Sequence, residues 1–484
     1  MLVTKQAQTR STDLVAWRRH CRGTLPLDAS VEEWMTDFFS DDNLPGLIEE
    51  HGSPLNLIST APMRSNLDQL NQVAAERNLD FKVFFARKSN KCLAFVDQAN
   101  HCGAGIDTAS ENEIQQAIDQ GVEASQIICT AAVKSDSLIQ RCLKNSICIA
   151  VDNRDELHVI VDQANRLACQ AIVALRLGGF RHEGQKLPTR FGFDVDRDNT
   201  LLAELSDLPL SVQGIHFHLD GYDARQRVNA IAQSLEWIQA LRDLGHSPAF
   251  LDIGGGFPIS YLRSAQQWEM FWQEHEKALL GQRESITYRN HHLGRQQTEG
   301  RIVGKPNSYP YYQTPVRADW LASILDAEIG GQTVATKLRN SRIQLRCEPG
   351  RSLMDGCGMT VAKVEFRKQN AEGDWLIGLA MNRTQCRTSS DDFLVDPILL
   401  PTGEGTSDPM TGFLVGAYCT ESELLSLRRL KFPTGVRRGD LVVFPNTAGY
   451  LMHFLESRSH QFPLAKNMVV SDAGEPIALD LIDV

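Results

Sequence analysis

The chain has no excess of basic residues: 49 Lys plus Arg stand against 60 Asp plus Glu, a formal net charge of −11. Nucleic acid and anionic membrane surfaces both demand a basic face, so no nucleic acid and no membrane is expected as a partner. Ordered cysteine spacing is missing too. The 11 cysteines fall at irregular intervals with no C-x-x-C pair and an odd one left over, which excludes a disulfide framework or zinc ribbon and suits a reducing compartment. No run reaches the roughly 18 consecutive apolar residues of a membrane span. The opening MLVTKQAQTRSTDLVAW lacks the apolar stretch of a signal peptide, so a cytoplasmic location is expected. Repeats and low-complexity linkers are also absent. What remains is 484 residues, 42% hydrophobic and 23% charged, the make-up of a globular enzyme of two or three domains with a small-molecule ligand.

From residue 82 onward, short apolar or β-branched runs alternate with amphipathic stretches, as in parallel βα units. The strand runs are 82–86, 105–108, 126–130, 146–152, 171–177, 212–218, 249–254 and 342–347. Between them, Leu157, Ile160, Val161, Ala164 and Leu167 form one apolar helical stripe, and Val228, Ile231, Leu235 and Ile238 form another that stops at Gly245. Ser110 and Glu113 have capping-box spacing. Eight such units predict a (β/α)8 barrel, whose chemistry gathers at the C-terminal strand ends. After residue 357 the pattern becomes β alternation, as in 359–366, 374–380 and 440–444, so a second, β-rich domain follows. The expected division is an N-terminal segment 1–55 partly joining the β-domain, a barrel over 56–356 carrying an insertion over 257–341, and a C-terminal β-domain over 357–484.

The strand-end residues are polar: Lys88, Asp107, Thr130, Asp152, Arg176, His218, Gly254-Gly255-Gly256, and Glu348 with Arg351. Taken singly, each reads as a cap, a turn or solvated surface. Together, a lysine, a triple glycine, an acid and an arginine are the parts that bind a phosphorylated carbonyl cofactor. Arg87 and Lys91 crowd Lys88 with charge of like sign, which lowers an amine pKa toward nucleophilicity. Consecutive glycines let a backbone approach a phosphate closely. Glu348-Pro349-Gly350-Arg351 sets a carboxylate and a guanidinium about a rigid turn, one suited to a pyridinium N–H and the other to a phosphate. A rival reading starts from His216 and His218, two apart on one strand face, a pair that holds zinc in some barrel hydrolases; His216 as core packing is the plainer account, and no other strand-end histidine completes a ligand set.

These motifs resemble, in order, the fold-type III pyridoxal-phosphate decarboxylases of the ornithine, diaminopimelate and arginine group. The likeness spans about 55–257 and 342–455. Phe85-Ala86-Arg87-Lys88-Ser89-Asn90 corresponds to the lysine motif, which implies that Lys88 carries pyridoxal 5'-phosphate as a Schiff base. Asp107-Thr108-Ala109-Ser110 matches the family's Asp-x-x-Ser, His218 the ring-stacking histidine, and Gly254 to Pro258 the phosphate loop. Glu348 to Arg351 matches the Glu-Pro-Gly-Arg motif, with Glu348 at the pyridine nitrogen. Gly416-Ala417-Tyr418-Cys419 and Ala448-Gly449-Tyr450 match the C-terminal motifs, so Cys419 is implied as the proton donor lent by a partner subunit and Tyr450 as a cofactor contact. The resemblance implies an alanine-racemase-type barrel plus β-domain, a homodimer with shared active sites, and decarboxylation of a diamino or basic amino acid or a conjugate of one, with no metal. Two departures stand out: Asp220-Gly221 replaces the family's Gly-Ser, and Thr420 stands where an acid usually reads the substrate, with Glu421 and Glu423 displaced. Asp220, Thr420, Glu421 and Glu423 are therefore the candidate substrate contacts. A racemase on the same cofactor, a non-catalytic binding relative and a metal-dependent barrel hydrolase remain the alternatives; Glu348, where racemases typically place arginine, weighs against the first.

Overall fold

The computed structural model describes residues 14–39, 43–205, 208–389, 393–403, 407–470 and 478–484. Contacts divide the chain into two compact units, one of Pro62–Pro258 with Thr314–Leu353 and one of Met1–Ala61, Ile259–Gln313 and Met354–Val484.

The first unit is a barrel. Its strands are β1 Phe81–Ala86, β2 Gly105–Thr108, β3 Ile127–Cys129, β4 Cys148–Val151, β5 Ala171–Gly178, β6 Leu210–Phe217, β7 Phe250–Asp252 and β8 Gln344–Cys347. Each pairs in parallel with the next, β8 pairs with β1, and the short strand Phe193–Asp194 adds to β5. The run of parallel strands reads as near-continuously apolar because both faces are covered. Phe84, Ile128, Cys148, Ala174 and Phe250, from five different strands, pack together inside. The Arg346 guanidinium lies 3.7 Å from the Phe250 ring centre and closes that floor.

The helical stripes fall where periodicity puts them. In the helix Arg154–Leu167, Leu157, Ile160 and Ala164 are buried while Val161 and Leu167 are half-buried. The helix Ala224–Asp243 ends just before Gly245, whose φ of 88° suits a residue without a β-carbon. Ser110 caps its helix by accepting from Glu113 N at 3.2 Å, but the Glu113 carboxylate accepts from Ala109 N rather than closing the expected box on Ser110.

The stretch 257–341, read above as one insertion in the barrel, divides by contact. Ile259–Gln313 groups with the β-rich unit and Thr314–Leu353 with the barrel unit. The reason is visible in the side chains. The helix Ala265–Leu279 buries Phe271 and Trp272, Arg428 stacks 5.5 Å from the Phe271 ring, and Tyr288 N donates to Leu427 O, all inside the β-rich unit. The helices Arg317–Leu325 and Val334–Asn340 instead bury Trp320, Leu321, Ile324 and Leu338 as the final crossover before β8. In the β-rich unit, Gly358–Gln369 is the central strand, flanked by Trp375–Leu379, Leu55–Ser59 and Leu441–Pro445, and the N-terminal Arg22–Gly23 pairs with Leu430–Phe432. None of the eleven cysteines is joined in a disulfide, and Cys419 is the exposed one. No described helix is long and apolar enough to cross a membrane.

Candidate active site

Strand β1 ends at Ala86 and turns at once through Arg87–Ser89, which swings Lys88 onto the C-terminal mouth of the barrel. Lys88 Nζ donates to Asp107 Oδ2 at 3.0 Å, and Thr130 Oγ1 donates to the other oxygen of the same carboxylate. Asp107 is buried at the end of β2. Burial raises its pKa, the nearby Glu348 charge adds to that, and Lys88 acts against it. The crowd of cations expected around Lys88 is arranged otherwise: the Arg87 guanidinium donates to the carbonyls of Asn90 and Lys91 and to Gln116 Oε1, so it pins the turn and leaves the lysine facing a carboxylate.

Across the mouth, Arg176 from β5, His216 from β6 and Glu348 just after β8 form a buried line. Arg176 Nε donates to His216 Nδ1 at 3.2 Å, and His216 Nε2 lies 3.1 Å from Glu348 Oε1. A guanidinium has no acceptor, so Nδ1 must accept and the ring proton must sit on Nε2, where it donates to Glu348. The chain of donors thus favours negative charge on the glutamate, against the burial that disfavours it. Arg176 is itself held by Asp152 Oδ1 at 3.1 Å and Thr130 O at 2.6 Å. Burial, then the Arg176 charge, push His216 far below the usual histidine range and keep it neutral. Burial raises the pKa of Glu348, with Lys88 and Arg176 opposing.

His218, one step past β6, is also neutral: burial first and then Lys88 lower its pKa to about 3. The loop after β7 takes Gly254 and Gly256 to φ of 65° and 82°, in the left-handed region that a β-carbon disfavours. A β-carbon at 255 would stand 2.8 Å from Glu348 O, so this loop packs directly on the Glu348 turn. Gly350 is buried and Arg351 half-buried beyond it. A cavity of about 190 Å³ opens here, lined by Lys88, Ala109, Thr130, Arg176, Phe191, His216, His218 and Glu348, with Arg190 at its side.

Sequence reasoning missed three residues. Asp252, the last residue of β7, is fully buried, accepts from Gly254 N at 2.9 Å and is pushed well above the carboxylate range by burial and by Glu348. Arg190 stacks 4.3 Å over the Phe191 ring and brings a cation to the cavity from an irregular loop that carries no periodic signal. Arg227 is hidden in a helical stripe beside Val228. His216, Asp252 and Glu348 also bring ligand-type atoms within 4.8 Å of one another. Both nitrogens of His216 are already committed, to Arg176 and to Glu348, and His218 lies outside that trio. The pairing of His216 with His218 that motivated the metal reading is therefore not formed.

The remaining candidates behave differently. Asp220 is exposed and folds back to accept from Gly221 N at 2.9 Å. Cys419, Thr420, Glu421, Glu423 and Tyr450 belong to the β-rich unit. Cys419 is exposed and its backbone N–H donates to His460 Nε2 at 3.4 Å, with the Tyr418 and His460 rings stacked 5.1 Å apart. Thr420 lies 3.4 Å from the Ser422 hydroxyl, and Glu421 is exposed. Glu423, expected as a substrate contact, is buried: its Oε1 accepts from Arg383 N at 2.7 Å and its Oε2 lies 3.6 Å from Arg383 Nε without a hydrogen bond. Tyr450 takes φ of 73° and packs edge-on to Phe454.

An eight-stranded parallel barrel with a β-rich sheet domain defines the alanine-racemase-like fold. The pyridoxal-dependent decarboxylase, pyridoxal binding domain family model matches residues 64–291. An uncharacterized protein of Sinorhizobium fredii, y4yA, is 34% identical over 436 residues, which covers 88% of this chain and 90% of that one. Diaminopimelate decarboxylase of Halalkalibacterium halodurans is 27% identical over 226 residues, 44% of this chain and 52% of the relative. Among solved structures, diaminopimelate decarboxylase of M. jannaschii in complex with L-lysine superposes with a TM-score of 0.66 at 18% identity, covering 90% of each chain. This chain belongs to the fold-type III pyridoxal-phosphate-dependent decarboxylase family, in the ornithine, arginine and diaminopimelate decarboxylase group.

Proposed function

We propose that this protein is a pyridoxal-phosphate-dependent decarboxylase of an amino acid. The observation that carries the reading is the line Arg176, His216, Glu348, which fixes a buried carboxyl group on the wall of a cavity that Lys88 also lines. The residues fit the cofactor on three counts: an amine at the cavity edge for its carbonyl, a glycine loop without β-carbons for its phosphate, and a buried acceptor for its ring nitrogen. When bound, pyridoxal phosphate with a protonated ring nitrogen supplies an electron sink for the pair left at Cα as CO2 departs.

The chain's own residues supply the rest. Lys88 Nζ, held by Asp107, would be the amine that holds the cofactor's carbonyl group. Glu348, fixed by the Nε2–H of His216, keeps a proton on the ring nitrogen by charge. The neutral His218 presents an imidazole face to the cavity without adding positive charge. Cys419 is assigned the return of a proton to Cα in a neighbouring subunit, which makes the active form a homodimer, with Tyr450 and Arg351 as further cofactor contacts. On the substrate, the exposed acids among the candidates for a distal amine are Glu421 and Asp220, while Glu423 is buried. The substrate is accordingly a diamino or basic amino acid or a conjugate whose distal group is read weakly by acids.

The test has two arms. Purified protein should take up pyridoxal phosphate with a visible absorption band, and borohydride should fix it on the peptide containing Lys88. Incubation with a panel of L- and D-amino acids should release CO2; inversion at Cα without CO2 would replace this reading by the racemase. Mixing Lys88→Ala with Cys419→Ala chains should restore part of the activity if sites are shared.

A further inference from the structure

One buried charge has no place in the network above. Arg227 lies in the first turn of the helix Ala224–Asp243 and is fully buried. Its Nη2 donates to Leu219 O at 2.8 Å, whereas Nε and Nη1 have no hydrogen-bond partner. Among the described residues no carboxylate pairs with it. The acids nearest in sequence are used elsewhere, Asp223 on Arg225 and Asp220 on its own Gly221 N–H. Burial lowers the pKa of Arg227 to about 10, with weak opposition from Tyr222, Asp220 and Asp223. The face of Trp320 lies 5.4 Å away and offers the guanidinium a ring but no anion. A buried cation left without an anion is costly, and such a charge calls for an occupant.

Its position names the kind of occupant. A β-carbon at residue 256 would stand 2.5 Å from Arg227 Nη2, so the guanidinium packs against the back of the glycine loop, where residue 256 must be glycine for the two to coexist. The neighbouring turn offers no side-chain donor, since residue 221 is glycine and Asp220 brings a negative charge. We infer that Arg227 is the buried counter-charge for an anion seated on the Gly254–Gly256 loop: a phosphate ester, resting on the cofactor reading above. It is a positioning residue acting through the loop, adding fixed positive charge behind backbone N–H groups.

The test compares wild type, Arg227→Met and Arg227→Lys as apo proteins titrated with pyridoxal phosphate, with pyridoxal lacking the phosphate, and with inorganic phosphate. Arg227→Met should weaken pyridoxal phosphate by about 10- to 100-fold, leave pyridoxal within about twofold, and Arg227→Lys should recover most of the loss. Inorganic phosphate should raise the melting temperature of wild type and not of Arg227→Met. Equal loss for pyridoxal and its phosphate, or no loss for either, overturns the inference. Should Arg227→Met fail to fold, Arg227→Gln takes its place, and the 31P signal of the bound cofactor is compared between it and wild type. The 31P resonance of bound pyridoxal phosphate should stay at its dianion position from about pH 8 to about pH 5.5, across the ester's ordinary second pKa of about 6. Titration at the free value overturns the inference. A wild type that takes up no pyridoxal phosphate yet is stabilised by inorganic phosphate through Arg227 sinks the cofactor reading and leaves the anion site standing.

Discussion

Glu348 in the barrel unit and Glu423 in the β-rich unit are almost equally buried, at 2% and 4% exposure, and burial raises the pKa of both. Their partners separate them. Glu423 accepts from a backbone N–H and closes a loop. Glu348 accepts from an imidazole whose tautomer is dictated by a guanidinium, and its side chain lines a cavity beside Lys88. A buried carboxylate by itself marks nothing. One oriented by a chain of side-chain donors, with room in front of it, marks a site where a carboxyl group is held ready for a ligand.

That contrast can be broken or sharpened by five substitutions, starting with the largest effect. Lys88→Ala should abolish both the visible band of the bound cofactor and turnover; retention of either would detach the barrel mouth from catalysis. Glu348→Gln should lower kcat by about 10²- to 10³-fold while cofactor still binds, measured by CO2 release. His216→Phe leaves Arg176 and Glu348 without their shared partner in a dry interior. It should cost about 3 kcal/mol in urea denaturation, and a neutral result would mean that the line is not the constraint described.

The fourth concerns pH. The folded pKa of His218 lies at about 3, below its unfolded value of about 6.5. Between these limits the unfolded chain binds a proton that the folded chain does not, so stability falls as pH is lowered through this window. In His218→Phe apo protein the pH dependence of unfolding free energy should be shallower by up to about 1.4 kcal/mol per pH unit. An unchanged slope would mean that this histidine titrates normally. Last, Glu423→Gln should cost about 1 kcal/mol of stability and leave kcat and KM unchanged; a KM effect would return it to the substrate pocket.

Much of this was legible in the chain. The eight strand runs emerged at the positions that apolar runs indicate, because parallel strands covered on both faces have little freedom in composition. Lys88, Asp107, His218, the three glycines and Glu348 could be found because they follow strands, and strand ends are where a barrel gathers chemistry. The division of 257–341 was not legible. Its aromatic residues suit a lid or a core equally, and contacts remote in sequence, such as Arg428 over the Phe271 ring and Tyr288 N on Leu427 O, tie the first part to the β-rich unit. Glu423 looked like a substrate contact for a related reason: sequence gives the residue's distance from Cys419 along the chain, but not whether Arg383 N has already claimed it.

Arg227 shows the same limit from the other side. In sequence it is one polar residue in an amphipathic helix and reads as solvated. Which face of the helix meets the glycine loop depends on how a crossover packs back onto β6 and β7, and that is set by contacts remote in the chain, such as Trp320. The sequence alone determined the periodicity, and with it the barrel, the order of the motifs and the residues at each strand end, because these follow from local patterning along the chain. The tertiary structure decided the charge environment: the tautomer of His216, the donors aimed at the buried Glu348, the neutral His218 and the cation of Arg227 with no anion beside it. Those depend on desolvation and on partners brought together from distant segments, and neither is written in any local stretch of residues.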